Sequence, residues 1–314
     1  MQCDDAQHVV AMLDFRQQPV DDLPTSPMTP LITAEALHSS FRHPEWLIVD
    51  CRHDLGDRDH GRRAYAQGHI PGAYFLHLDD DLAGPPRGAD GRFHGRHPLP
   101  DRATFARRLT EAGLAPHTTL IAYDDGDGMY AARLWWLAQW IGHGRAAVLD
   151  GGLRSWLGRG YEISTDTPTP RAAAVPVIGE SMVATIDADA LLASIASGRY
   201  RILDARATER YRGEVEPIDA KAGHIPGAHN RPFRSNLLDN GQFKSPTQLR
   251  AEFSAALAGT TTERVVHQCG SGVSACHNLL AMAVASMPGA VLYPGSWSEW
   301  SSDPRRPVAT GSEP

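Results

Sequence analysis

Basic residues do not outnumber acidic ones in this chain of 314 residues: 30 Lys and Arg stand against 37 Asp and Glu, a formal net charge of −7. Without a positive excess the chain does not read as a nucleic-acid binder, which presents a basic face. No apolar run approaches the ~18 residues a membrane-spanning helix needs. Met1 to Val20 carries acidic residues early, its only arginine is Arg16, and it has no basic-then-apolar order, so neither a secretory nor a transit signal is expected. Cysteine is scarce. Cys3, Cys51, Cys269 and Cys276 form no Cys-x-x-Cys and no metal-ligand spacing. This spacing marks no metal site, no organic cofactor is implied, and a reducing cytoplasm fits best.

What the chain does have is 42% hydrophobic and 21% charged residues, ordinary for a globular protein, and enough length for two domains. Its most chemical stretch is Val265 to His277. A short apolar run reads as the end of a buried strand. Cys269 and two glycines, Gly270 and Gly272, follow, and then an Ala-, Leu- and Met-rich segment, Val273 to Met287, reads as a helix. Glycines let a loop turn sharply with its N–H groups pointing inward. The helix N-terminus adds partial positive charge at the same place. A cysteine there is stabilised as its thiolate, the nucleophilic form. The plain alternative is a small buried hydrophobe, but a structural cysteine needs no nest of free amides.

Residues 1–28 read as a loosely held extension. Strands are expected at Leu47–Asp50, Tyr74–Leu78, Leu120–Tyr123 and Ala146–Leu149, and helices at Asp101–Ala112, Met129–Ile141 and from Leu153. Thr- and Pro-rich residues 164–178 read as a linker between domains at 29–163 and 179–314. The second half repeats the first. Gly223-His224-Ile225-Pro226-Gly227-Ala228 matches Gly68 to Ala73 residue for residue, and Ile202 to Arg206 answers Ile48 to Arg52. Alternating strands and helices predict an α/β fold, each half a parallel sheet with helices on both faces. Aligning Gly295 with Gly151 sets Cys269 on Asp125, Gly270 on Gly126 and Gly272 on Gly128. The first copy keeps the glycines and lacks the nucleophile.

Cys269-Gly270-Ser271-Gly272-Val273-Ser274-Ala275 resembles the active-site loop of the two-domain rhodanese (sulfurtransferase) family, nearer its 3-mercaptopyruvate form, which is neutral after the cysteine. The resemblance implies tandem rhodanese-like domains, the first inactive and walling the site. It implies a Cys269 persulfide formed from a small-molecule donor, 3-mercaptopyruvate or thiosulfate, and passed to cyanide or a thiol, including that of a thioredoxin-like protein. The amides of Gly270, Gly272, Val273 and Ser274 would hold the persulfide. The family's donor-anchoring arginine falls on Arg210, with Arg206 beside it. A guanidinium suits a carboxylate or thiosulfonate oxygen pair, although Arg206 also sits where it could pair with Asp204. The second anchoring arginine of the mercaptopyruvate enzymes is replaced by Ile218. The resemblance further implies a relay of Ser271 with a histidine and an aspartate of the first domain. These map onto His69 and, with one inserted residue, Asp59. His224 occupies the same motif in the second copy, which fits a turn-holding role for His69 equally well.

Two other functions compete. Dual-specificity phosphatases share this fold but need an arginine six positions after the cysteine, where this chain has Ala275. A non-catalytic rhodanese-type binding module would lack the cysteine that is present here.

Overall fold

The computed structural model describes residues 29–169, 176 and 178–314. The expected extension at 1–28 and part of the linker lie outside the described residues. Two five-stranded sheets, each wholly parallel, account for the two halves. In the first, β1 (Leu31–Ile32), β2 (Trp46–Asp50), β3 (Tyr74–Phe75), β4 (Thr119–Tyr123) and β5 (Ala146–Leu149) run in the order β1-β5-β4-β2-β3. In the second, β6 (Ala184–Thr185), β7 (Arg201–Asp204), β8 (Ala228–Asn230), β9 (Val265–Gln268) and β10 (Val291–Leu292) run in the matching order β6-β10-β9-β7-β8. The strand expected over Tyr74–Leu78 stops at Phe75. Past it the chain turns, with the Asp81 carboxylate accepting the His77 N–H at 2.7 Å. Helix His60–Gln67 was not expected: it is short and polar, with only Gly61 buried.

Alternation along the strands explains why both faces are covered. Leu47, Val49, Leu120, Ala122, Ala146 and Val148 face one apolar cluster, while Ile48, Ile121, Ala147 and Leu149 face another. The first cluster continues through Leu203, Val265 and Leu280 of the second half. The inner faces of both sheets therefore share one core, closed by helices Met129–Trp140 and Ser274–Val284 packed on each other. These helices occupy equivalent places in the two copies, so their contact is that of an internal two-fold. Arg133 Nη1 donates to Gly272 O at 3.1 Å, and its positional equivalent His277 places Nε2 2.9 Å from Asp127 O. Each half thus grips the other's loop. Among the described residues no helix is long and apolar enough to cross a membrane.

Candidate active site

Strand β9, central in its sheet, delivers Cys269 at its carboxyl end, where parallel α/β sheets place their ligands. Cys269 is 1% exposed. The Gly272 N–H donates to its Sγ at 3.1 Å. Gly272 must be glycine twice over: its φ is +76°, and a Cβ would fall 2.4 Å from Pro294 O. The loop is braced from the start of helix Ser296–Ser302. Ser296 Oγ accepts the Cys269 N–H at 3.1 Å, Trp297 N donates to Cys269 O, and Ser298 N donates to Gly270 O, both at 2.9 Å. Val273 and Ser274 form the junction with helix Ser274–Val284, whose N-terminus adds its partial positive charge here. The other described cysteines are unsuited to attack. Burial pushes the Cys276 thiol up to about 12, and that of Cys51 well above its ordinary value.

The first half walls this loop with residues the sequence did not single out. His97 Nδ1 lies 2.7 Å from Ser271 Oγ, and His97 Nε2 lies 3.1 Å from Asp79 Oδ1. Burial lowers the His97 pKa, with Asp79 opposing. The bond from His97 holds the Asp79 carboxyl well below the usual range. Near neutral pH the set is thus Ser271 O–H to a neutral imidazole to a carboxylate, in the order of a serine-type relay. The mapping onto His69 and Asp59 is corrected. His69 is fully buried and stacked on Tyr65, its Nδ1 2.9 Å from Tyr65 O and its Nε2 3.1 Å from Asp166 O. His224 does the same in the second copy, against Tyr211 O and Glu313 O. Both pin the segment leaving their domain. Asp59 is exposed at the start of helix His60–Gln67 and makes no capping bond.

Arg206 is also corrected. Its guanidinium donates to both Asp204 oxygens and to Gly223 O, as Arg52 does to Asp50 and Gly68 O, so it is a repeated strut rather than a donor ligand. Arg210 does reach the loop: its Nη1 lies 3.5 Å from where a Gly270 Cβ would be. Its Nη2 donates to Glu216 (2.7 Å) and Asp219 (3.1 Å). Of metal-ligating groups, His53, His77 and Asp79 converge. Both His77 nitrogens are already engaged, Nδ1 with the amides of Asp79 and Asp80 and Nε2 with Arg58 O, and Asp79 is held by His97 and Arg58.

In the first copy the equivalent loop is filled from within. The Asp124 carboxylate accepts N–H bonds from Gly126, Gly128, Tyr130 and Ala131 at 3.0–3.2 Å. Asp125 stands at the place of Cys269.

The Rhodanese-like domain family model matches residues 33–159 and again 187–303. The chain belongs to the two-domain rhodanese family of sulfurtransferases. It is 45% identical over 282 residues, 90% of this chain and 98% of the relative, to the Pseudomonas aeruginosa "Probable 3-mercaptopyruvate sulfurtransferase". It is 32% identical to the Bos taurus "Thiosulfate sulfurtransferase", covering 85% of this chain and 89% of that one. Among solved structures, 3-mercaptopyruvate sulfurtransferase from Leishmania major superposes with a TM-score of 0.78 at 29% identity, covering 91% of this chain and 78% of that chain. Rhodanese-family likeness over both halves accounts for the shared topology and for the loop built on Cys269.

Proposed function

We propose that this protein takes the thiol sulfur of 3-mercaptopyruvate, holds it as the sulfane sulfur of a Cys269 persulfide and passes it to cyanide or a thiol, with thiosulfate a slower donor. The observation that carries the reading is the proton relay set against the nucleophile's loop, Ser271 to His97 to Asp79. The two donors differ in their need for it. The Cys269 thiolate attacks the thiol sulfur of mercaptopyruvate, the S–S bond forms, and the C–S bond breaks to leave the pyruvate enolate. The proton that began on sulfur must end on carbon. Ser271 and His97 can take it and return it. Thiosulfate transfers its outer sulfur and leaves as sulfite, with no proton to move.

The half at 179–314 carries the nucleophile and the half at 29–163 completes the cleft. The loop amides hold the anionic persulfide, and Arg210 holds the donor's anionic end. In the second half-reaction an acceptor thiolate or cyanide attacks the outer persulfide sulfur, and Cys269 leaves as thiolate. A thioredoxin-like protein fits as a thiol acceptor, and a reducing cytoplasm suits a site that depends on a free thiol. Steady-state kinetics with each donor, following thiocyanate release from cyanide, tests the choice. The expected result is a higher kcat/KM for mercaptopyruvate; a strong preference for thiosulfate would reverse the assignment.

A further inference from the structure

The position where mercaptopyruvate enzymes place a second anchoring arginine holds Ile218, which is 47% exposed and carries no charge. A cation nevertheless overhangs the loop beside Arg210, and it comes from the other half. Arg96 Nη2 lies 2.9 Å from where a Gly270 Cβ would be, and Arg210 Nη1 lies 3.5 Å from the same point. Both guanidinium groups therefore cover the residue next to the nucleophile. The backbone carrying Arg96 is locked to the active-site loop. Arg96 N donates to Ser298 Oγ at 3.1 Å, and Ser298 N donates to Gly270 O. Gly95, at φ +97°, presses so closely on Gly295 O that a Cβ would stand 2.6 Å from it. His97 of the relay is the next residue.

A carboxylate already bridges the two arginines. One oxygen of Asp219 takes Arg96 Nη1 and the other takes Arg210 Nη2. Planar carboxylates match paired guanidinium donors. Burial raises the Asp219 pKa, so this carboxylate is incompletely compensated where it sits. Among the described residues Arg96 Nη2 has no hydrogen-bond acceptor.

We infer that Arg96 is a donor-binding residue, forming with Arg210 a two-arginine clamp across the halves that takes the carboxylate of a 2-oxo acid donor in exchange for that of Asp219. This rests on the donor reading above. Arg96 supplies from the first half the cation that Ile218 does not supply from the second, and Asp219 holds the clamp open-handed until the donor arrives.

The test is calorimetric titration of 3-mercaptopyruvate into protein with Cys269→Ser, where binding is read without turnover. Adding Arg96→Gln should weaken Kd about 10- to 100-fold, the worth of one charge-assisted hydrogen bond. Arg96→Lys should fall between, keeping charge without the fork. Asp219→Asn should tighten Kd, because it removes the anion shared by both arginines, leaving only Glu216 on Arg210. An Arg96→Gln protein that binds as tightly as its parent would overturn the clamp. So would an Asp219→Asn protein as weak as Arg96→Gln, since the pair would then be only a strut between domains. Intact mass of wild type after donor treatment separates this from the broader reading: no added sulfur from either donor overturns the sulfurtransferase assignment and the clamp with it, whereas added sulfur with an unchanged Arg96→Gln Kd overturns the clamp alone.

Discussion

Ser271 Oγ and His97 Nδ1 are 2.7 Å apart and belong to different copies of the repeated domain. The half without a loop cysteine thus places an imidazole against the Cys269 loop of the other half.

That division predicts a donor-selective defect. His97→Gln should cut kcat/KM for mercaptopyruvate by about 10²- to 10⁴-fold, the usual worth of a positioned acid–base group. It should change the thiosulfate rate less than about tenfold, since no proton moves there. Parallel kinetics on the two donors decide; equal losses on both would show that His97 only supports the loop.

The same group sets a pH dependence. In the proposed relay His97 acts as its neutral form, and burial lowers its pKa below the ordinary 6.5. Protonation switches the relay off, so activity with mercaptopyruvate should hold through pH 6.5 and fall only below it. The thiosulfate reaction, run as the control, should lack the His97-dependent part of that acid limb. An acid limb identical for both donors, and retained in His97→Gln, would assign it to another group.

Two glycines with nearly the same φ separate conformational strain from close packing. Gly227 has φ +81° with nothing within 4 Å of a Cβ, whereas at Gly272, φ +76°, the Cβ would meet Pro294 O at 2.4 Å. Gly227→Ala should lose about 1–2 kcal/mol of stability from the left-handed backbone alone. Gly272→Ala should lose more and also displace the Cys269 loop. Denaturant unfolding of both, with turnover measured alongside, checks the order; equal losses would mean that Pro294 yields freely.

The first copy's loop should resist conversion to a site. In a Cys269→Ser, Asp125→Cys double variant the Asp124 carboxyl group still occupies the loop amides, so they are not free to hold a thiolate or a persulfide. No thiocyanate should form. Measurable activity would show that a filled nest can still support the chemistry.

Cys269 is legible as the candidate nucleophile because its neighbours have a local reason to be there: Gly270 and Gly272 serve the loop, and Val265–Gln268 is apolar enough to read as strand. The repeat made the two sheets legible for the same reason, through motifs such as Gly68 to Ala73. The repeat also misled. His69 lies in a motif kept in both copies because both domains must pin their exit segments, and that common need drew the relay onto the wrong histidine. His97, Asp79 and Arg96 lie in a stretch between Ala73 and the helix cap Asp101 that is much longer than its counterpart between Ala228 and the cap Ser245. A segment lengthened only in the copy without a nucleophile was the available signal. Which of its side chains reach Ser271 depends on how the halves dock, and no local spacing records that.

The most direct measurement is intact mass after treatment with 3-mercaptopyruvate in the absence of acceptor. Wild type, Cys51→Ser and Cys276→Ser should each gain one sulfur atom and lose it on addition of cyanide, while Cys269→Ser gains none. Sulfur carried by the Cys269→Ser protein, or none on wild type, would contradict a Cys269 persulfide.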